Sequence, residues 1–140
     1  MTMRFTIHGD GGSRGNPGPA GSGAIIRNEA GETVATVSEF LGIATNNVAE
    51  YTAVLRALET LAAMLESKAA DAEVRVCMDS MLVVKQMTGE WKLKHPGLKP
   101  LAARVGELAR LFRTVSYEHV YRDFNRDADR LANEAMDRGV

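Results

Sequence analysis

The chain reads as a mixed α/β domain, a five-stranded sheet flanked by helices in the order βββαβααβα. Three observations predict it. Apolar and polar residues alternate in short segments near the N-terminus; the period then changes to three-and-four over a long central stretch; and the next strand-like run lies too far from the first ones for a tight turn. With 140 residues and 45% hydrophobic content, a single core is expected, and residues 1–140 are expected to form one domain.

From Met3 to Asp10, Phe5 and Ile7 alternate with Arg4, Thr6 and His8, the pattern of a strand with one buried face. Gly11-Gly12-Ser13-Arg14-Gly15-Asn16-Pro17-Gly18-Pro19 is turn chemistry. Gly23-Ala24-Ile25-Ile26 is strand-like again, and a Glu29-Ala30-Gly31 turn leads to a third strand from Thr33 to Leu41. Links this short make an antiparallel meander. Tyr51, Val54, Leu55, Leu58, Leu61, Met64 and Leu65 then mark an amphipathic helix to about Ser67, with Asn47 as the expected N-cap. Glu73 to Met78 is a strand expected to join the sheet in parallel by a crossover. A short helix from Ser80 to Thr88, a helical pattern from Leu98 to Phe112, a last strand from Val115 to Tyr121 and a helix from Asp127 to Arg138 complete the order, the last with Leu131, Ala132, Ala135 and Met136 on one stripe. No internal repeat, low-complexity tract or linker is visible.

The formal net charge is -1, so the long-range field offers no general attraction for a polyanion, and any nucleic-acid role rests on local clusters. The lone Cys77 sits in the apolar run Val74-Arg75-Val76-Cys77-Met78, where a buried reduced thiol is expected and no disulfide can form within one chain. No apolar run is long enough to span a bilayer, and a strand beginning at Met3 leaves no room for a secretory segment. A cytoplasmic monomer without a membrane partner is the expectation.

Four acids stand in unusual places. Asp10 and Asp79 each end a strand, and the predicted topology sets those strands side by side. Glu50 precedes Val54 and Leu58 by four and eight positions, so it projects from the helix face that packs on the sheet. Asp129 likewise precedes Ala132 and Met136 by three and seven positions, so it also opens its helix from the packed side. Each has an ordinary structural explanation: turn residue for Asp10, N-cap or first-turn acid for Asp79 and Asp129, capping box with Asn47 for Glu50. Together they converge at one sheet edge, where carboxylates a few ångströms apart must either take up protons or bind cations. Oxygen ligands without Cys or His clusters favour hard ions such as Mg²⁺ or Mn²⁺. Two such ions about 3.5–4 Å apart can serve the attacking and leaving oxygens of a phosphoryl displacement, so phosphodiester hydrolysis is the chemistry indicated.

The motifs that carry these acids are the stretch from Asp10 to Pro19, then Thr45-Asn46-Asn47-Val48-Ala49-Glu50, Met78-Asp79-Ser80, and Asn125-Arg126-Asp127-Ala128-Asp129-Arg130-Leu131-Ala132-Asn133. In this order, and over nearly the whole chain, the sequence resembles the type 1 ribonuclease H family. The resemblance implies a ribonuclease H-like fold and an endonuclease that hydrolyses the RNA strand of RNA/DNA hybrids with two ions, Mg²⁺ or Mn²⁺, leaving 5′-phosphate and 3′-hydroxyl ends. It implies that Asp10 bridges both ions, that Glu50 and Asp79 help hold one, and that Asp129 helps hold the other. It further implies that backbone groups near Gly11, Gly12 and Asn16, with the amides of Asn46 and Asn47, lie in the minor groove, where 2′-hydroxyls distinguish RNA from DNA. Thr45 matches a position that helps hold a phosphate of the DNA strand.

Two departures from the family are visible. The loop before the last acid is short, Tyr121-Arg122-Asp123-Phe124, and offers Arg122 as the catalytic candidate in place of the loop histidine of other members; His119 lies within a strand and reads as structural. The long basic handle of many members is reduced to Trp91-Lys92-Leu93-Lys94-His95-Pro96. There Trp91, Lys92 and Lys94 either contact the substrate or form a solvated loop with Trp91 tucked into the core. The glycines at 11–18 match neither phosphate-loop fingerprint. The alternative functions are a transposase-like DNA-acting core and a non-catalytic RNA/DNA hybrid-binding module. The first is opposed by Thr45-Asn46-Asn47 and by the spacing of Asn125 from Asp129; the second would be expected to have lost at least one acid.

Overall fold

The computed structural model describes residues 2–140. Strands β1 (Met3–Ser13), β2 (Gly18–Asn28) and β3 (Thr33–Ala44) form an antiparallel meander, and β4 (Ala72–Met78) and β5 (Thr114–His119) extend the sheet parallel to β1. The spatial order is β3-β2-β1-β4-β5. Helices α1 (Asn46–Leu65), α2 (Met81–Met87), α3 (Lys99–Ala109) and α4 (Arg126–Arg138) complete the expected βββαβααβα sequence.

The glycines after Asp10 depart from the turn reading. β1 continues through Gly11, Gly12 and Ser13, which pair with Ser22, Gly21 and Ala20, so the reversal is confined to residues 14–17. The physical reason is crowding. A Cβ on Gly11 would collide with the backbone of Ala49 and Glu50, whereas one on Gly12 would meet the Met136 methyl on α4 at 3.3 Å. Successive strand residues point to opposite faces, so α1 and α4 cover opposite faces of the sheet.

The α1 start is also displaced from expectation. Thr45, not Asn47, is the N-cap, its Oγ1 accepting from the Val48 N–H at 3.2 Å. The Asn46 side chain is engaged elsewhere, accepting from the Ser13 N–H at 2.6 Å, and Asn47 is exposed. After Leu65 the chain tightens into a 3₁₀ turn, Glu66–Asp71, before β4.

The core lies between the sheet and the helices α1 and α3. Ile7, Ile26 and Val76 from the strands meet Tyr51, Val54, Leu58 and Leu61 from α1 and Val105 from α3, all fully buried. Each such side chain contributes about 1.5–3 kcal/mol by leaving water, and together they fix where the α1 N-terminus falls against β1. Cys77 is buried and free, as expected. Among the described residues no helix is long and apolar enough to cross a membrane.

Two glycine substitutions separate crowding from propensity. Gly11→Ala is expected to lower stability by ~1–3 kcal/mol, since overpacking here moves α1 backbone. Gly106→Ala, inside α3 with open space around the new methyl, is expected to raise it by ~0.5–1 kcal/mol. Urea unfolding at equilibrium measures both; equal shifts for the pair would contradict the close β1–α1 approach.

Candidate active site

β1 and β4 run side by side until Gly9 and Met78, the last residues in register. The next residue on each strand is an acid. Asp10 is 8% exposed, and the pleat aims its side chain to the α4 face, where Asp129 on the first turn of that helix approaches closely enough to share a hydrogen bond with it. Glu50 comes from the other face, just past the first turn of α1, set there by the close approach of Ala49 to Gly11. One oxygen each of Asp10, Glu50 and Asp79 lie within 4.8 Å of one another. The structure therefore brings all four predicted acids to one end of the sheet.

Few bonds from the protein satisfy these carboxylates. Asp10 accepts from the Gly11 N–H at 2.9 Å, Glu50 is hydrogen-bonded to the Ser80 hydroxyl, and Asp79 accepts from the Asn125 amide at 3.3 Å. Ser80 is also the α2 N-cap, accepting from the Val83 N–H at 3.3 Å. Burial is the main cause that pushes Asp10 up to about 8, with the charges of Asp79 and Asp129 adding to it. Burial likewise pushes Glu50 up to about 7, against the lowering effect of the Ser80 hydroxyl. Near neutral pH the cluster holds protons that a cation would displace. An all-oxygen donor set with this demand for positive charge fits a hard divalent ion, which Asp10, Glu50 and Asp79 could hold, with Asp129 against Asp10.

The predicted substrate contacts gather beside the acids only in part. Ser13 Oγ donates to the Ala44 carbonyl at 2.7 Å, and the Asn46 N–H donates to Asn16 Oδ1 at 3.0 Å, which ties the β1–β2 hairpin to the start of α1. Asn16, Thr45 and Asn47 line a cleft of about 200 Å³ with His95 and Leu98. His95 was visible in the sequence only as part of a basic segment. Its Nδ1 accepts from the Gly97 N–H at 3.0 Å, which leaves Nε2 to carry the ring proton. Trp91 is 46% exposed rather than tucked into the core, and Lys92 and Lys94 are exposed beside it. Arg122 is exposed on the 3₁₀ turn Arg122–Phe124, and His119 lies in β5 with its ring edge-on to Tyr121 at 5.7 Å.

A five-stranded sheet of this topology, with carboxylates from β1, α1, the end of β4 and α4, defines the class. The family model described as reverse transcriptase-like matches residues 8–135. A bifunctional protein of Mycobacterium tuberculosis is 48% identical over 136 residues, covering 96% of this chain and 36% of the relative. Ribonuclease HI of Halobacterium salinarum is 45% identical over 134 residues, covering 96% of this chain and 65% of the relative. The structure of LC11-RNase H1 in complex with an RNA/DNA hybrid superposes with a TM-score of 0.90 at 45% identity, covering 96% of this chain and 97% of that one. The chain belongs to the type 1 ribonuclease H family, and it spans about a third of the length of the first of these relatives.

The sign of the electrostatics is testable without substrate. A carboxyl whose folded pKa lies above its ordinary value binds more protons in the native state, so its contribution falls as pH rises from about 4 to about 8. In chelator, Asp10→Asn is expected to match the wild type near pH 4 and to exceed its stability by at least ~1 kcal/mol at pH 8.5. Saturating Mg²⁺ at pH 8.5 is expected to stabilise the wild type more than the variant. Chemical denaturation at the two pH values measures this; a wild type more stable than Asp10→Asn in chelator at pH 8.5 would contradict it.

Proposed function

We propose that this chain is a divalent-metal-dependent endoribonuclease that hydrolyses the RNA strand of RNA/DNA hybrids, leaving 5′-phosphate and 3′-hydroxyl ends. The observation that carries this reading is the acid cluster: Asp10, Glu50 and Asp79 within 4.8 Å, with Asp129 against Asp10. Mg²⁺ or Mn²⁺, as a pair of ions, is the cofactor we infer; Asp10 would help hold both, Glu50 and Asp79 one, and Asp129 the other. When bound, such ions supply charge neutralisation at the phosphate, a more acidic water and stabilisation of the departing oxygen.

The protein's own part is to hold and orient. The sheet end keeps the carboxylates preorganised, and the raised affinity of Asp10 and Glu50 for protons becomes affinity for cations as pH rises. Asn16, Asn46 and Asn47, with the backbone of Gly11 and Gly12, offer donors and acceptors to a minor groove and its 2′-hydroxyls. Thr45 takes a phosphate of the DNA strand. Trp91, Lys92 and Lys94 extend the grip along the backbone, through stacking on a sugar and short-range charge. Arg122, exposed on the turn before α4, is the cation we assign to the scissile phosphate. A structural relative supports the hybrid as substrate, since LC11-RNase H1 was solved with one. A monomer working in the cytoplasm is the setting we infer, in keeping with the free thiol of Cys77.

End-labelled RNA/DNA hybrid, single-stranded RNA, duplex RNA and duplex DNA, each incubated with Mg²⁺ or Mn²⁺, test the reading. Cutting confined to the RNA of the hybrid, lost to background in Asp10→Asn and in chelator, is the expected result. A wild type that binds the hybrid and cuts it with neither metal would remove the enzyme reading and leave a hybrid-binding module.

A further inference from the structure

Asn125 precedes α4 and carries no charge, yet it is bonded to three of the segments that present the acids. Its backbone carbonyl accepts from the Asp129 N–H at 3.1 Å, and its own N–H donates to the Arg122 carbonyl at 2.9 Å. Its side-chain Nδ2 donates to the Gly9 carbonyl at 2.9 Å and to Asp79 Oδ1 at 3.3 Å. The side chain is 1% exposed. Both side-chain partners are acceptors, so chemistry alone sets the amide with its NH₂ toward them. The opposite atom, Oδ1, is buried without a protein donor, and the residue lines a small polar cleft with His8, Arg27 and Asp127.

A buried amide whose carbonyl has no protein partner is a poor choice for stability alone. Its two donors, however, meet a particular need. Gly9 immediately precedes Asp10, so one hydrogen fixes the end of the shared β1–β4 register while the other fixes the carboxylate next to it. A neutral donor can do this without competing for the site. Lys or Arg in the same place would hold Asp79 by charge and oppose a cation there. Glu50 and Asp10 are held otherwise, by the Ser80 hydroxyl and the Gly11 N–H, which leaves Asp79 as the acid that depends on Asn125.

We propose that Asn125 is a positioning residue for cation binding, its amide clamping the Asp79 carboxylate to the β1 end so that Asp79 and Asp10 face one ion. This rests on the metal-binding reading of the acid cluster. Asn125 touches no reacting atom and acts through Asp79.

The test is calorimetric titration of Mn²⁺ into wild type, Asn125→Ala, Asp79→Asn and the double variant, with hybrid cleavage followed in parallel. Asn125→Ala is expected to weaken Mn²⁺ binding by ~10- to 100-fold. In cleavage, saturating Mn²⁺ is expected to restore most of kcat, with KM for hybrid changed less than about twofold. In the Asp79→Asn background the same change is expected to add almost nothing, as for groups acting as one unit. Leu61→Ala, in the core away from the site, controls for lost stability and is expected to keep wild-type Mn²⁺ affinity. Unchanged affinity in Asn125→Ala, additive losses in the double variant, or an equal loss in Leu61→Ala would each overturn the proposal. A wild type that binds no Mn²⁺ would overturn it together with the metal reading, whereas binding without hybrid cleavage would touch only the substrate. Should Asn125→Ala not fold, the side-chain amide signal of Asn125 in ¹⁵N NMR of the wild type decides: it is expected to move on Mg²⁺ addition and in Asp79→Asn. A signal unmoved by both would overturn the proposal.

Discussion

The site depends on how closely the first turn of α1 lies on β1. Gly11 lets the backbone of Ala49 and Glu50 press against the strand, at a distance where any Cβ would collide. The approach is held from three sides: by the core side chains of α1 below it, by Ser22 Oγ donating to the Ala49 carbonyl at 2.6 Å, and by the Ser13–Asn46 bond at 2.6 Å above it. A helix start fixed this firmly can carry a carboxylate against two others, because retreat would break packing that is worth more than the repulsion it relieves.

That repulsion is then available for binding. Where a protein can satisfy a buried acid, it supplies several donors or a paired cation; here Asp10 receives one backbone N–H and faces two like charges. Elsewhere the chain pairs its charges freely, as in Arg14–Asp137 at 2.7 Å and Arg27–Asp127 at 2.6 Å. The contrast is between acids with arginine partners at the surface and acids deprived of them at the sheet end. Such a cluster loses stability as protons leave Asp10 and Glu50, a loss that a bound divalent ion would offset. Folding and cofactor binding are therefore linked through the same oxygens.

Most of this frame was legible in the sequence because it rests on periodic signals. Alternation at Phe5 and Ile7 gave β1, three-and-four spacing from Tyr51 to Leu65 gave α1, and the distance from Leu41 to Glu73 required a crossover. The acids were legible because their helical phase set Glu50 and Asp129 inward. What escaped has no periodic trace. Gly11 to Ser13 look like a turn, and only the neighbouring helix makes them strand. Thr45 displaced Asn47 as the cap because Asn46 is bonded to Ser13 and Asn16 of the hairpin and the helix begins at Asn46 rather than after Asn47. The Asn125 amide reaches Gly9 and Asp79 across 116 and 46 residues, and its motif position says nothing of which atoms it meets. His95 entered the Thr45 cleft through an irregular segment whose path no residue pattern encodes.

A chain of net charge -1 holds a polyanion only if its positive charge is unevenly committed. Arg4, Arg56, Arg75, Arg104 and Arg130 are each bonded to a carboxylate, which removes much of their field. Lys92, Lys94 and Arg122 enter no ion pair among the described residues, and all three are exposed. Lys92 and Lys94 belong to the segment that delivers His95 to the Thr45 cleft. Screening at physiological salt limits each to about 8 Å, so these few cations act at contact rather than by steering. Under the proposed function, binding without an extended basic handle would draw more on groove shape, on hydrogen bonds from Asn16, Asn46 and Asn47, and on ions held by the acids. The metal would then serve substrate attraction as well as chemistry, since ions held by the acid cluster would offset its charge toward an incoming phosphate.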